Sequence, residues 1–361
     1  MKNNLCKGIF FFVFLSFFAV SCDNENNEEP EEQTNIVYIE DDIYDVTTWY
    51  SDSIYVIKAW DFYVMNSLTI QPGTIIKFHP DGAFLMLGSG GTINAKGTAS
   101  RHIIFTSWKD DSAGGDTNGD GNASNPSVGD WGMISTNSEN GSVFEYCEFH
   151  YGGGSAYTST LEVYGNNISV KNCLFANNSG ADGSGWYGAL EATYGGPACV
   201  ITGNIFYNNI RPLSVGTVYS IDDSNIFHNP ADAGIKNTYN AIFVYSGEEI
   251  KSHISWEEDE VPFVIDDNDF WIYNGSLTLA DQVVLKFRSG SAMVLDGGPD
   301  DIINHDGPGV YFTSYKDDSK KGDTNGDGDA SSPSAGDWLG IHDNLNSIDL
   351  AWANILYAGE K

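Results

Sequence analysis

From residue 36 onward, apolar residues arrive in short runs of about four to six, many of them β-branched or aromatic, each closed by Gly, Asn, Asp or Pro. The stretches 54–57 (I-Y-V-I), 62–65 (F-Y-V-M), 74–78 (T-I-I-K-F), 84–87 (F-L-M-L) and 103–106 (I-I-F-T) are of this kind. No stretch keeps the three-and-four spacing of an amphipathic helix, so the chain reads as all-β. Short strands fit a sandwich, a barrel or a solenoid equally well, and internal repeats decide between these.

Two repeats are present. The long one matches Trp49 with Trp256, Val56 and Ile57 with Val264 and Ile265, Phe62 with Phe270, Leu68 with Leu277, Lys77 and Phe78 with Lys286 and Phe287, and Phe105 with Phe312. It runs on to Tyr151 and Tyr357. Between the copies lies a finer repeat, N-C-L-F-A-N-N (172–178), G-N-I-F-Y-N-N (203–209) and S-N-I-F-H-N-P (224–230), which sets Phe175, Phe206 and Phe227 in equivalent places. Such spacing, with asparagine at the bends, predicts the stacked coils of a parallel β-helix, where no coil buries its apolar face alone. Asparagine suits the bends because its side chain bonds nearby backbone groups. Residues 36–255 are read as a β-helix with asparagine-rich coils, and 256–361 as a second, partial copy.

Each copy interrupts its coils with the same excursion, 105–131 and 312–338. At its centre is D-T-N-G-D-G, which supplies Asp116, Asn118 and Asp120 in the first copy and Asp323, Asn325 and Asp327 in the second. Oxygen ligands at alternate positions before a turn-permitting glycine wrap a hard cation such as calcium. An EF-hand would close the shell with a glutamate at position 12, but Ser127 and Ser334 stand there. Another carboxylate is needed, and the candidates are Asp130 and Asp337 of G-D-W, or Asp110–Asp111 and Asp317–Asp318 ahead of the loop. The alternative is an Asx-turn excursion that binds nothing; crowded carboxylates repel one another, which favours a structural calcium ion in each loop.

The strings S-L-T-I-Q-P-G-T-I-I-K-F, A-K-G-T and I-I-F-T-S, followed by D-T-N-G-D-G and G-D-W, resemble the right-handed parallel β-helix family of bacterial surface proteins, related in fold to pectate lyases. The second copy departs from this pattern at 304–309 (N-H-D-G-P-G), where A-K-G-T is expected. That copy stops at Lys361, where the first passes into its asparagine coils. An uncapped coil end exposes strand edges, which favours a continuation beyond Lys361 over a native terminus.

The N-terminus carries an address. Lys2 and Lys7 precede an apolar run at 8–20 that is too short to cross a bilayer, and A-V-S-C ends at Cys22. Residues 1–21 therefore resemble a bacterial lipoprotein signal, which implies acylation of Cys22. Residues 22–35 form an acidic tether expected to be disordered. An acidic run after the lipidated cysteine resembles the export signal of Bacteroidetes-type surface lipoproteins. The resemblance implies an outer-membrane, cell-surface location, with periplasmic display left open.

The formal charge of −33, from 17 basic and 50 acidic residues, argues against nucleic acid and anionic lipid as partners. Cys147, Cys173 and Cys199 are odd in number and lack metal-ligand spacing; Cys147 and Cys173 occupy equivalent places, as stacked core residues would. A lyase would need a Lys or Arg base, and the central coils offer only Lys171, Arg211 and Lys236. A hydrolase would need an acidic constellation, and Asp222–Asp223 supplies only a fragment. Tyr157, Tyr164, Trp186, Tyr187 and Tyr194 are candidates for stacking on sugar rings. The expectation is a non-enzymatic, calcium-stabilised, lipid-anchored module that binds glycan or a surface protein, in the manner of an adhesin. A polysaccharide lyase or glycoside hydrolase is the alternative.

Overall fold

The computed structural model describes residues 35–80, 84–136, 141–154, 159–180, 187–266 and 268–359. The signal segment, Cys22, most of the tether, Tyr157 and Trp186 lie outside them. The described chain is a parallel β-helix, as the repeats require. Successive strands rotate through three sheets, so that each strand pairs with the equivalent strand one coil away. The first sheet has seven strands, from Asn35–Ile39 to Ile205–Tyr207; the second has ten, from Asp61–Val64 to Tyr311–Ser314; the third has six, from Thr47–Trp49 to Val200–Thr202. The one helical turn among the described residues is Pro299–Asp301.

Stacking brings like residues together on the inward face. In the second sheet Leu85, Ile134, Leu161, Leu190, Leu213 and Ile242 form one fully buried column in register. Burial of each contributes about 1.5–3 kcal/mol relative to exposure. Phe105, Phe149, Phe175 and Phe206 of the first sheet, and Phe227 just past its last strand, stack with ring centroids 4.7–5.3 Å apart. Cys147 opens one strand of this sheet and Cys173 immediately precedes the next; both are buried thiols, and each S–H lies toward a backbone carbonyl, of Ala95 and Phe144 respectively.

The bends on either side of the first sheet are held by two asparagine ladders. Asn178, Asn209 and Asn237 form one, with Asn178 Nδ2 donating to Asn209 Oδ1 (3.0 Å) and Asn209 Nδ2 to Asn237 Oδ1 (2.9 Å). Asn204 and Asn225 form the other, joined to the Cys173 N–H. Each ladder side chain satisfies backbone N–H and C=O groups that a buried bend would otherwise leave unpaired. Asn172, Asn177 and Asn208 adopt positive φ at these corners, a conformation that asparagine tolerates better than most residues.

The two long copies do not occupy the same faces. The strands Ser53–Ile57, Ile75–Phe78 and Ile103–Ser107 lie in the first sheet, but their counterparts Phe263–Ile265, Val284–Phe287 and Tyr311–Ser314 continue the second. The strands interleaved with them build separate sheets of four and three strands. Local geometry is nonetheless repeated: the bridge Ile43 to Val64 recurs as Ile250 to Ile272. The second copy is the same unit turned by one face. The turn falls where the first sheet stops and a small antiparallel hairpin, His228–Asn229 with Asp232–Lys236, follows its last strand.

Candidate metal centre

Each Asp-rich loop is seated on an identical platform. On the outward side of the first sheet Val56, Lys77 and Thr106 are in register; on the second sheet the same places are taken by Val264, Lys286 and Thr313. All six are buried, because the loop folds back over them. Thr106 donates to Asp110 Oδ2 and Thr313 to Asp317 Oδ2, both at 2.6 Å. Lys77 Nζ donates to the carbonyls of Asp110 (2.8 Å) and Gly115 (2.7 Å), and Lys286 Nζ to that of Gly322 (2.7 Å). Burial lowers both ammonium pKa values, that of Lys286 to about 8, although the aspartates around them oppose the shift. The sequence reading missed these lysines. The signal was a lysine inside an apolar strand run, in the same place in both copies.

The loop exits are also alike. Asp130 accepts from Ser107 Oγ (2.7 Å), Lys109 Nζ (2.8 Å) and the N–H and hydroxyl of Ser127; Asp337 does the same with Ser314, Lys316 and Ser334. Burial opposes ionisation of Asp337, yet Lys316 and the serines hold its carboxyl down to about 2. The following Trp131 and Trp338 are fully buried and stack on Phe78 and Phe287 at 4.1 Å. Asp130 and Asp337 thus latch the loop shut and stand apart from the carboxylate clusters. In those clusters the third carboxylate is the one ahead of the loop: Asp111 with Asp116 and Asp120, and Asp318 with Asp323 and Asp327, ligand atoms within 4.8 Å of one another.

Within each cluster the D-T-N-G-D-G backbone turns tightly. Asp116 accepts the N–H groups of Gly119 (2.6 Å) and Gly121 (2.8 Å), and Asp323 those of Gly326 (2.7 Å) and Gly328 (2.8 Å). Gly121 and Gly328 have φ of 76° and 67°, as a residue closing such a turn requires. Asn118 Nδ2 bonds Asp120 and Ser124, which Asn325 repeats with Asp327 and Ser331. Three carboxylate oxygens have no hydrogen-bond partner although solvent does not reach them: Asp111 Oδ1, Asp318 Oδ1 and Asp327 Oδ1. Burial and the charges of Asp323, Asp327 and Asp329 push the Asp318 carboxyl up against the pull of Lys286. Buried oxygens without donors, next to further carboxylates, fit a hard divalent cation.

The aromatic candidates lie elsewhere. Tyr164 and Tyr194, 44% and 55% exposed, neighbour each other with centroids 5.8 Å apart, and Tyr245 stands 5.8 Å beyond Tyr194. Tyr187 is half-buried. Beside this row Glu162 and Glu191 are register partners on adjacent coils. Burial and the Glu162 charge raise the Glu191 carboxyl to about 7, against hydrogen bonds from Thr193 and Ser159. Asp222 binds its own turn through Ser224. His150 and His228 are each paired with a glutamate, Glu148 and Glu260.

No family model, no curated protein and no solved structure matches this chain.

Proposed function

We propose that the chain is a lipid-anchored extracytoplasmic β-helix whose two loops each hold a calcium ion as a structural brace, and whose lateral face binds a glycan or protein polymer. The observation that carries the metal reading is the duplicated cluster, Asp111, Asp116, Asp120 and Asp318, Asp323, Asp327, with its donorless buried oxygens. Asn118 and Asn325 would add amide oxygens, and water the remainder of the shell. Calcium there would offset the repulsion between carboxylates and tie the strand-proximal aspartate to the loop tip. The brace acts on structure: it would fix each loop over its Val-Lys-Thr platform.

The exposed pair Tyr164 and Tyr194, with the half-buried Tyr245 beside Tyr194, supports polymer binding, since neighbouring rings on a rigid face can stack on sugars or apolar side chains. Binding is favoured over hydrolysis because Glu191, the better placed acid, is 2% exposed and engaged by two hydroxyls. Calorimetric titration tests the metal. Two calcium equivalents, a melting temperature that falls on chelation, and loss of one equivalent in Asp120→Ala are expected. No heat of binding and no shift on chelation would leave the loops as Asx-turn excursions.

A further inference from the structure

The outward face of the second sheet changes character along the helix. Its central coils present Ser135, Glu162, Glu191 and Ser214 in register. Its first coils present no such polar column. There Tyr63 is the partner of Met86; the bridge of Ile43 to Val64 sets Tyr44 beside Met65; and Trp60 packs on Phe84 at 6.2 Å. Trp60 is 61% exposed and Tyr44 67%, with Tyr63 and Met65 also open. A sheet face turned to water should alternate to polar residues. Six large, largely apolar side chains gather there, with Asp61, the register partner of Phe84, as the one carboxylate of its strand among them, and they form an interaction surface.

We propose that this face, Tyr44, Trp60, Tyr63, Met65, Phe84 and Met86, seats in the headgroup region of the neutral lipid surface to which Cys22 is acylated. The inference rests on the lipid-anchor reading above. Residues 23–34 separate Cys22 from the first strand. Fully extended they reach about 45 Å at most, so an anchored chain keeps its first coils close to the bilayer throughout. Tryptophan and tyrosine favour the membrane–water boundary because one end of each ring system is apolar and the other wet. Methionine adapts to an irregular surface. Asp41, Asp42, Asp45 and Asp61 lie on or beside the same coils, and Asp42 accepts the N–H of Tyr63 at 2.8 Å. These carboxylates select zwitterionic over anionic lipid. Seating by this face would fix the orientation of the coils on the membrane, which the tether alone cannot do.

The test uses the full acylated chain in phosphatidylcholine vesicles, with an environment-sensitive dye on Met65→Cys or, as control, on Asp329→Cys. Cys147, Cys173 and Cys199 are buried and take no label in the folded protein. The expected result is a blue shift and quenching by lipid-borne bromine at position 65, with neither at 329. Adding anionic lipid should weaken both effects. An acylated chain whose position 65 is as water-exposed as 329 overturns the inference and leaves the anchor reading standing. A chain whose mass shows no acyl group on Cys22 overturns both. Shielding of position 65 by a soluble neutral glucan without vesicles, and not by vesicles, gives the face to glycan and overturns the inference alone.

Discussion

Glu258 is 1% exposed, its Oε1 accepts the Glu260 N–H at 2.7 Å, and its Oε2 has no partner. Burial, with the charges of Glu260, Asp259 and Asp223, raises its carboxyl to about 8 from an ordinary 4.5. Below pH 4.5 both folded and unfolded chains hold the proton. Between 4.5 and 8 only the unfolded chain releases it, so stability falls as pH rises through that window and then levels. Glu258→Gln removes the ionisation and keeps the acceptor for Glu260. The variant should therefore gain on the parent with rising pH, by on the order of 5 kcal/mol in all. Melting temperatures of both proteins from pH 5 to 8.5 check this, and parallel curves would refute it. Single residues were also where the sequence was hardest to read. D-T-N-G-D-G is local and legible, but the grouping of Asp111 with Asp116 and Asp120 is not, because Ser107 and Lys109 meet Asp130 only once the loop has closed.

At the scale of elements, strands and bends were legible because each rests on a local pattern: apolar alternation for the strands, asparagine for the corners. The ladder shows why the asparagines recur. Asn209 is buried, its Oδ1 accepts from the Asn178 N–H and Nδ2 (both 3.0 Å), and its Nδ2 donates to the Phe175 carbonyl (2.8 Å) and to Asn237. Asn209→Ala strands the Asn178 N–H and the Phe175 carbonyl in the interior. At about 1–3 kcal/mol for each orphaned group, a loss of roughly 3 kcal/mol or more is expected from denaturant titration. Asn177→Ala, at a half-buried corner one coil away, should cost less. Equal losses would mean that the corner conformation, rather than the ladder, carries the stability. The rotation of the second copy by one face was not legible. A repeat fixes which residues follow one another in a coil, and the face that receives them is set by the residues bridging the two copies.

Across the whole molecule that rotation makes the outward face of the second sheet a single strip with three chemistries: apolar at Tyr63 and Met86, acidic at Glu162 and Glu191, and roofed by the second loop at Val264, Lys286 and Thr313. The first loop roofs the first sheet instead, over Val56, Lys77 and Thr106. Because a solenoid couples each coil mainly to its neighbours, loosening one roof should leave distant coils unchanged. Chelation should therefore speed amide exchange in two separate places, residues 110–124 and 317–331, which the paired clusters organise. Exchange in the third-sheet strands Ser67–Ile70 and Thr92–Lys96, which carry no loop, should stay slow. Asp120→Ala should reproduce the change in the first loop alone. Hydrogen-exchange mass spectrometry with and without chelator reads all of these at once. Uniform acceleration along the chain would show that calcium sets global stability, and protection at only one loop would show that the copies have diverged in metal binding despite sharing a platform.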